Sequence, residues 1–307
     1  MKAKKFKIII DTDIGDDIDD AVALAFALGS PEFDILGVTT VFGNVETRAK
    51  IAKKLLRAWG RDDIPVKMGA VRPMGYFHHY GRGPVANNSQ AAAVENEGAL
   101  EDNTYNAAQF IADTVRKYPG EVYIVTLGAL TNIGMALCID PSLVEKIPGI
   151  VSMCFLGYQD DKNKDQISGW NVPYDPIAAQ CVARSRVNWK ITKGGPKPGT
   201  SFLKELNRCE KESSKVLSEL ILLKAQNKDN MNVSSIEELE GVSACDLYAF
   251  ASFLIPEQFN YLQGYWEVDS SSRNNFYPDN KGPHSCPQTN VNAEYLKVIQ
   301  ERILRKV

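Results

Sequence analysis

The chain has 307 residues, 44% hydrophobic and 24% charged, with a net charge of −3 at pH 7. Those proportions fit a soluble folded chain. The slight acidity, without a basic stripe interleaved with aromatics, argues against nucleic-acid binding, and no apolar run is long enough to span a membrane.

Residues 6–10 are short, apolar and β-branched, which predicts a strand buried on both faces. Residues 21–28 read as an apolar helix stopped by Gly29. A second strand follows at 35–42, then an amphipathic helix at 47–59 with Ile51, Leu55, Leu56 and Trp59 on one face, then a third strand at 64–68. Residues 71–104 carry few periodic signals and many Gly, Pro and Asn, and a connection that long inside a compact domain is usually functional. Alternation resumes with a helix at 105–118 closed by Pro119-Gly120, a strand at 122–127, a helix at 132–138 and a strand at 150–156. Pro176 opens a helix reaching 183, and a strand follows at 187–192. From about residue 200 the chain reads as more helical, with helices predicted at 202–226, 245–254 and 293–304. The pattern predicts one α/β domain over 1–307, a mostly parallel central sheet flanked by helices. In such folds ligands bind beyond the carboxyl ends of the strands.

The chemistry concentrates at the end of the first strand, in Asp11-Thr-Asp-Ile-Gly-Asp-Asp-Ile-Asp-Asp20. Six carboxylates in ten residues repel one another unless paired, and a hard divalent cation with oxygen ligands relieves that conflict. The plainer reading is a solvated acidic turn whose aspartates cap the next helix. Apolar segments on both sides oppose it, because they hold the turn against a buried sheet. A calcium loop of the EF-hand type fails on spelling: its twelfth position requires Glu, and counting from Asp11 places Val22 there. A dehalogenase-type phosphatase also begins strand-Asp-x-Asp and stays as an alternative.

Six cysteines (Cys138, Cys154, Cys181, Cys209, Cys245 and Cys286) include no CxxC pair, so neither a structural zinc site nor a disulfide framework is expected, and a reducing cytoplasm fits. The short run after Lys7 is no signal peptide; a signal peptide removed upstream is left open.

The stretches IIIDTDIGDDIDDAVALAFAL and ILGVTTVFGN resemble the opening of the inosine–uridine nucleoside hydrolases. Further matches follow in order: GRDDIPVKMGA at 60–70, VTLGALTNIGMAL at 125–137, GWNVPYDPIAA at 169–179 and CDLYAFASFLIPEQF at 245–259. Together they span nearly the whole chain. The resemblance implies a nucleoside hydrolase-like domain, a calcium ion, cleavage of the N-glycosidic bond of a ribonucleoside, and a homodimer or homotetramer.

The resemblance also implies roles. Asp13 matches the general base, which also touches the metal. Asp20, Asp246 and the Leu127 carbonyl match the other metal ligands, and Asp19 matches a ribose contact. Asn44 and Asn171 match asparagines that hold ribose hydroxyls, and Met153 and Trp170 match the lining of the sugar site. Asp11 braces the cluster. The motif is two residues longer than its shortest form, which leaves Asp17 as an alternative to Asp19. Asn44 and Asn171 also read as turn residues, Asp246 as a helix cap, and Met153 and Trp170 as core. Two departures stand out: Cys245 where many relatives carry His, and Gly169 where a Glu is common. The leaving base must then draw its proton from His78, His79, Tyr80 or Tyr248, and His is the natural donor near neutral pH. Trp170, Tyr76 and Phe77 could stack on a nucleobase. A riboside-binding or altered-substrate relative with weak leaving-group activation is the other reading.

Overall fold

The computed structural model describes residues 5–75, 88–154, 170–288 and 295–305. Six apolar runs become parallel strands: β1 (Phe6–Thr12), β2 (Phe33–Thr40), β3 (Val66–Met68), β4 (Val122–Thr126), β5 (Ile150–Met153) and β6 (Trp189–Thr192). Between them lie α1 (Asp19–Leu28), α2 (Val45–Ala58), α3 (Ala107–Lys117), α4 (Thr131–Ile139), α5 (Leu143–Lys146), α6 (Asn171–Tyr174) and α7 (Pro176–Ser185). The chain continues through α8 (Thr200–Arg208), α9 (Glu212–Asn227) and α10 (Leu247–Leu254), then β7 (Tyr261–Val268), β8 (Asn274–Pro278), β9 (His284–Pro287) and α11 (Tyr295–Ile303).

The nine strands form one sheet in the order β3-β2-β1-β4-β5-β6-β9-β7-β8. Strand alternation divides the core in two. Ile8 and Ile10 pack with α1, α2 and α8 to α11 on one face, while Ile9 packs with α3, α4 and α7 on the other. This double burial explains why the parallel strands read as unbroken apolar runs.

Two expectations are corrected. The helix predicted at 202–226 is two helices, because Cys209 and Lys211 are extended (ψ 115° and 144°). Residues 207–215 contain no large apolar side chain. Nothing there holds a continuous helix to the core, so α8 and α9 dock separately through Phe202, Leu203 and Leu206, and through Val216, Leu217 and Leu220. The C-terminal part is also less helical than expected. β9 joins β6 in parallel, and β7 pairs antiparallel with both β8 and β9, giving the sheet an antiparallel edge. β7 is rich in aromatics and Val, but β8 and β9 are short and contain Asn, His and Pro, which carry little strand signal.

Candidate active site and metal centre

Chain order reverses at β1, which lies between β2 and β4. Loops leaving such a pair diverge and open a crevice at their carboxyl ends. The two loops here are the acidic segment after Thr12 and the Leu127–Gly128 turn after β4. They are tied together by the Leu127 N–H, which donates to the Asp11 carbonyl at 2.7 Å.

Asp11 is fully buried. Its Oδ1 accepts from Thr39 Oγ1 at 2.5 Å and from Asn132 Nδ2 at 2.7 Å, while Oδ2 has no partner. Burial pushes its carboxyl up to about 7, against the pull of those two hydrogen bonds. Asn132 also donates to the Thr40 carbonyl at 3.1 Å and accepts from the Ala70 N–H at 2.9 Å, so one amide joins the ends of three adjacent strands. Asp11 therefore acts as a brace beneath the site. Thr12 donates its hydroxyl to Asp20 and accepts the Ile14 N–H, which fixes where α1 begins.

Asp13 lies against Gly128, where a Cβ would stand 3.0 Å from both its N and its Oδ1 and 2.7 Å from Val41. Only glycine admits that approach. The Asp13 carboxyl is pushed up to about 6, chiefly by burial; Arg48 opposes this, and Asp16 and Asp17 add to it. Asp19, Asp20 and Asp246 converge, with one oxygen of each within 4.8 Å of the others. Burial raises all three. Asp17 and Asp13 raise Asp19 further, to about 7, while Asp13 and Asp19 raise Asp20, and Asp19, Asp20 and Asp13 raise Asp246. Asp19 joins the cluster, while Asp17 turns toward Lys224 on α9 and Lys228 just past its end. Asp246 occupies the cap position of α10 but makes no capping hydrogen bond. Its side chain faces the other carboxylates instead, across more than two hundred residues of sequence. An all-carboxylate donor set whose members resist ionisation together suits a hard divalent cation.

Sequence reasoning missed Arg48. Its side chain is fully buried. It donates to the carbonyls of Asp13, Ile14 (3.0 Å) and Phe42 (2.7 Å), and pairs with Asp16 at 2.8 Å. Phe42 and Gly43 are consecutive left-handed residues (φ 66° and 70°), and for Phe this is strained backbone. Their N–H groups are held by the Ala70 and Val71 carbonyls at 2.7 and 2.9 Å. Arg48 thus clips the β1–α1 loop to the β2–α2 loop. It was legible, since it lies on the stripe formed with Ile51, Ala52 and Leu55, where a charge has no place without partners.

The Asp16-Asp17 segment also receives the far end of the long loop. Asn88 N–H donates to Asp16 Oδ1 at 2.6 Å, Ser89 Oγ to the Asp16 carbonyl at 2.7 Å, and Gln90 Nε2 to the Asp17 carbonyl at 2.7 Å. The near end is held by Asp175, which accepts from the Met74 N–H and the Thr131 hydroxyl with Oδ2 while Oδ1 caps α7. His78, His79, Tyr76, Phe77, Tyr80 and Gly169 lie outside the described residues.

The remaining candidates fall around this cluster. Asn44 is exposed and accepts the Thr47 N–H at 3.1 Å, capping α2 with its side-chain oxygen. Asn171 is buried, and its amide donates to the Leu127 carbonyl at 2.5 Å and the Met153 carbonyl at 2.8 Å. It fixes the very carbonyl expected to face a metal. Trp170 is not core: it is 55% exposed and stacks on Tyr174 at 5.6 Å, which in turn packs on Phe42 at 4.2 Å. Cys245 contacts Ser243 at 3.3 Å, and burial raises its thiol. Tyr248 is buried edge-on against Phe259.

The sequence profile of the inosine-uridine preferring nucleoside hydrolases matches residues 8–301. The chain is 32% identical to uridine nucleosidase 1 of Arabidopsis thaliana over 278 residues, covering 87% of this chain and 79% of that one. It is 31% identical to the inosine-uridine preferring nucleoside hydrolase of Crithidia fasciculata over 200 residues, covering 62% and 59%. A solved plant nucleoside hydrolase superposes with a TM-score of 0.78 at 25% identity, covering 98% of this chain and 99% of that one.

Proposed function

The chain belongs to the inosine-uridine preferring nucleoside hydrolase family, and from that premise we propose that its hydrolysis of ribonucleosides to ribose and free base runs on a calcium ion, with Asp13 as general base. The convergence of Asp19, Asp20 and Asp246 carries this reading. Asp13, Asp20, Asp246 and the Leu127 carbonyl would hold the ion, and Asp19 would accept a hydrogen bond from a ribose hydroxyl. When bound, the cation supplies a Lewis acid that lowers the pKa of water and grips the ribose diol.

Asp13 takes the proton of the attacking water. Burial raises its carboxyl in the metal-free chain, and a cation beside it would favour the ionised form that accepts the proton. Water adds to the anomeric carbon as the bond to the base breaks, in the manner of inverting glycoside hydrolysis. The negative charge of the surrounding aspartates favours the positive charge that develops on the sugar ring. Asn171 keeps the Leu127 and Met153 carbonyls in place, and Met153 and Trp170 flank the sugar. Asn44 offers its amide to a ribose hydroxyl while its oxygen caps α2.

The leaving base requires a proton or strong hydrogen bonds, which we assign to His79 and His78, with Tyr248 as a further candidate. Cys245 keeps its proton near neutral pH and is a weak acid for this purpose. That feature favours a second reading, a relative whose preferred substrate carries a better leaving group. We also propose a cytoplasmic location and a homodimer or homotetramer, which light scattering would check.

The decisive assay is release of free ribose from uridine and inosine in calcium buffer. Turnover that disappears on chelation and in Asp13→Ala supports the proposal, and no turnover with any natural nucleoside overturns it. Turnover confined to modified ribosides would instead establish the second reading.

A further inference from the structure

The seam between α4 and α7 carries a feature that nucleoside cleavage does not use. The two helices pack on the same face of the sheet. α4 follows one parallel strand and α7 precedes another, so both run against the strands and parallel to each other. A Cβ at Gly134 would stand 3.1 Å from the Cα and 3.1 Å from the Cβ of Ala178. Helices that meet through a glycine approach more closely than the roughly 8–10 Å of ordinary helix pairs. One turn further on, four residues past Gly134 and three past Ala178, stand Cys138 and Cys181. The Cys181 thiol lies 3.9 Å from the Gly134 carbonyl, to which it donates, and Cys138 stands close enough to add to the rise of that thiol. Cys138 is exposed, whereas Cys181 is half-buried, and burial together with Cys138 raises its thiol to about 11.

We propose that Cys138 and Cys181 are an oxidation site: a hydroperoxide oxidises Cys138, and Cys181 resolves it to a disulfide bridging α4 and α7. In the first step the Cys138 thiolate attacks the peroxide, the O–O bond breaks, and water leaves as an S–O bond forms, giving a sulfenic acid. In the second step the Cys181 sulfur attacks the Cys138 sulfur. The S–S bond forms, the S–O bond breaks, and the hydroxide leaves as water with the Cys181 proton. Two thiols and one hydrogen peroxide become one disulfide and two waters, and the peroxide takes both electrons. The division of labour follows from placement: solvent and peroxide reach the exposed Cys138, while half-buried Cys181 is shielded from peroxide and gives its proton to the departing hydroxide as its sulfur attacks. The same two helices present Asn132 and Asp175 to the loops around the carboxylate cluster. The bridge would therefore fix the seam from which those loops are held.

The test uses the full chain, hydrogen peroxide, and digestion without reductant followed by mass spectrometry. The expected product is a Cys138–Cys181 peptide pair lighter by two hydrogens, with two of the six thiols lost in a denatured titration and both restored by dithiothreitol. Cys138→Ser and Cys181→Ser should each abolish that pair while the far-ultraviolet spectrum stays unchanged. If Cys138 advances to a sulfinic acid with the Cys181 thiol intact, or if another pair of cysteines is linked first, the proposal fails. Mapping of the unaltered chain decides the matter even if a serine variant folds poorly.

Discussion

The β1–α1 loop and the turn that begins α6 flank the same carboxylates, yet different forces hold them. The loop is fixed by charge and by polar partners, of which Arg48 and Thr12 are buried: Arg48 on three carbonyls and Asp16, Lys228 on Asp17, and Thr12 on Asp20. The α6 turn is fixed by one buried amide, that of Asn171, and by the partly exposed stack of Trp170 on Tyr174. Parts that must hold repelling charges close together need rigid, satisfied partners. Parts that contact a substrate can remain open. The difference suggests where substitutions should abolish chemistry and where they should only reshape binding.

The largest effect should come from Asp13→Asn, which preserves shape and removes the base. A fall of about 10²- to 10⁴-fold in kcat for ribose release is expected, with an unchanged circular dichroism spectrum. A loss below tenfold would remove Asp13 from that role.

Next comes Arg48→Met. It strips the partner from a buried carboxylate contact and from three carbonyls, and should cost about 3–5 kcal/mol in urea unfolding. A cost near that of an ordinary surface change would show that charge does not hold the loop.

A third expectation concerns pH. Asp11, Asp13 and Asp19 hold their protons to about 7, 6 and 7 in the folded chain, against 3.8 for the ordinary group. Between those values the folded state binds more protons than the unfolded chain, so stability falls as pH rises. Protein stripped with a chelator should therefore lose thermal stability as pH rises from roughly 4 to 7, and Asp20 and Asp246, which burial also raises, deepen that loss. Calcium should flatten the slope. A chelated protein whose Tm rises over that interval would contradict the unpaired cluster.

The smallest effect belongs to the open side. Trp170→Ala removes a stacked ring and should raise KM for uridine by up to about tenfold, with kcat nearly unchanged. An equal loss in kcat would mean that this side, too, is part of the rigid framework.

Much of this was readable before any coordinates. The parallel strands announced themselves because burial on both faces leaves unbroken apolar runs, as at Ile8–Ile10, and the aspartates marked the crevice. Asp246 was identifiable only through its resemblance, because its partners lie far away in sequence. Its neighbours alone read as a helix cap, and Asp246 does stand at the cap of α10 but without a capping hydrogen bond. Arg48 was overlooked because an arginine in a helix rich in lysine and arginine looks like solvent-facing charge until the apolar stripe is drawn through it. β8 and β9 were missed because their residues favour strands only once β6 and β7 supply partners. Asp17 and Asp19 could not be told apart by spacing, since what separates them is the lysines at the end of α9.

The order in which these pieces leave the ribosome has a consequence. Asp13 and its clip Arg48 are 35 residues apart, so the acidic loop and its restraint emerge close together during synthesis. Asp246 emerges long after both. A nascent or C-terminally truncated chain would carry the repelling aspartates without the last member of the cluster. If the cluster holds a cation as proposed, a chain gains that stabilisation only once Asp246 has been translated and α10 can fold.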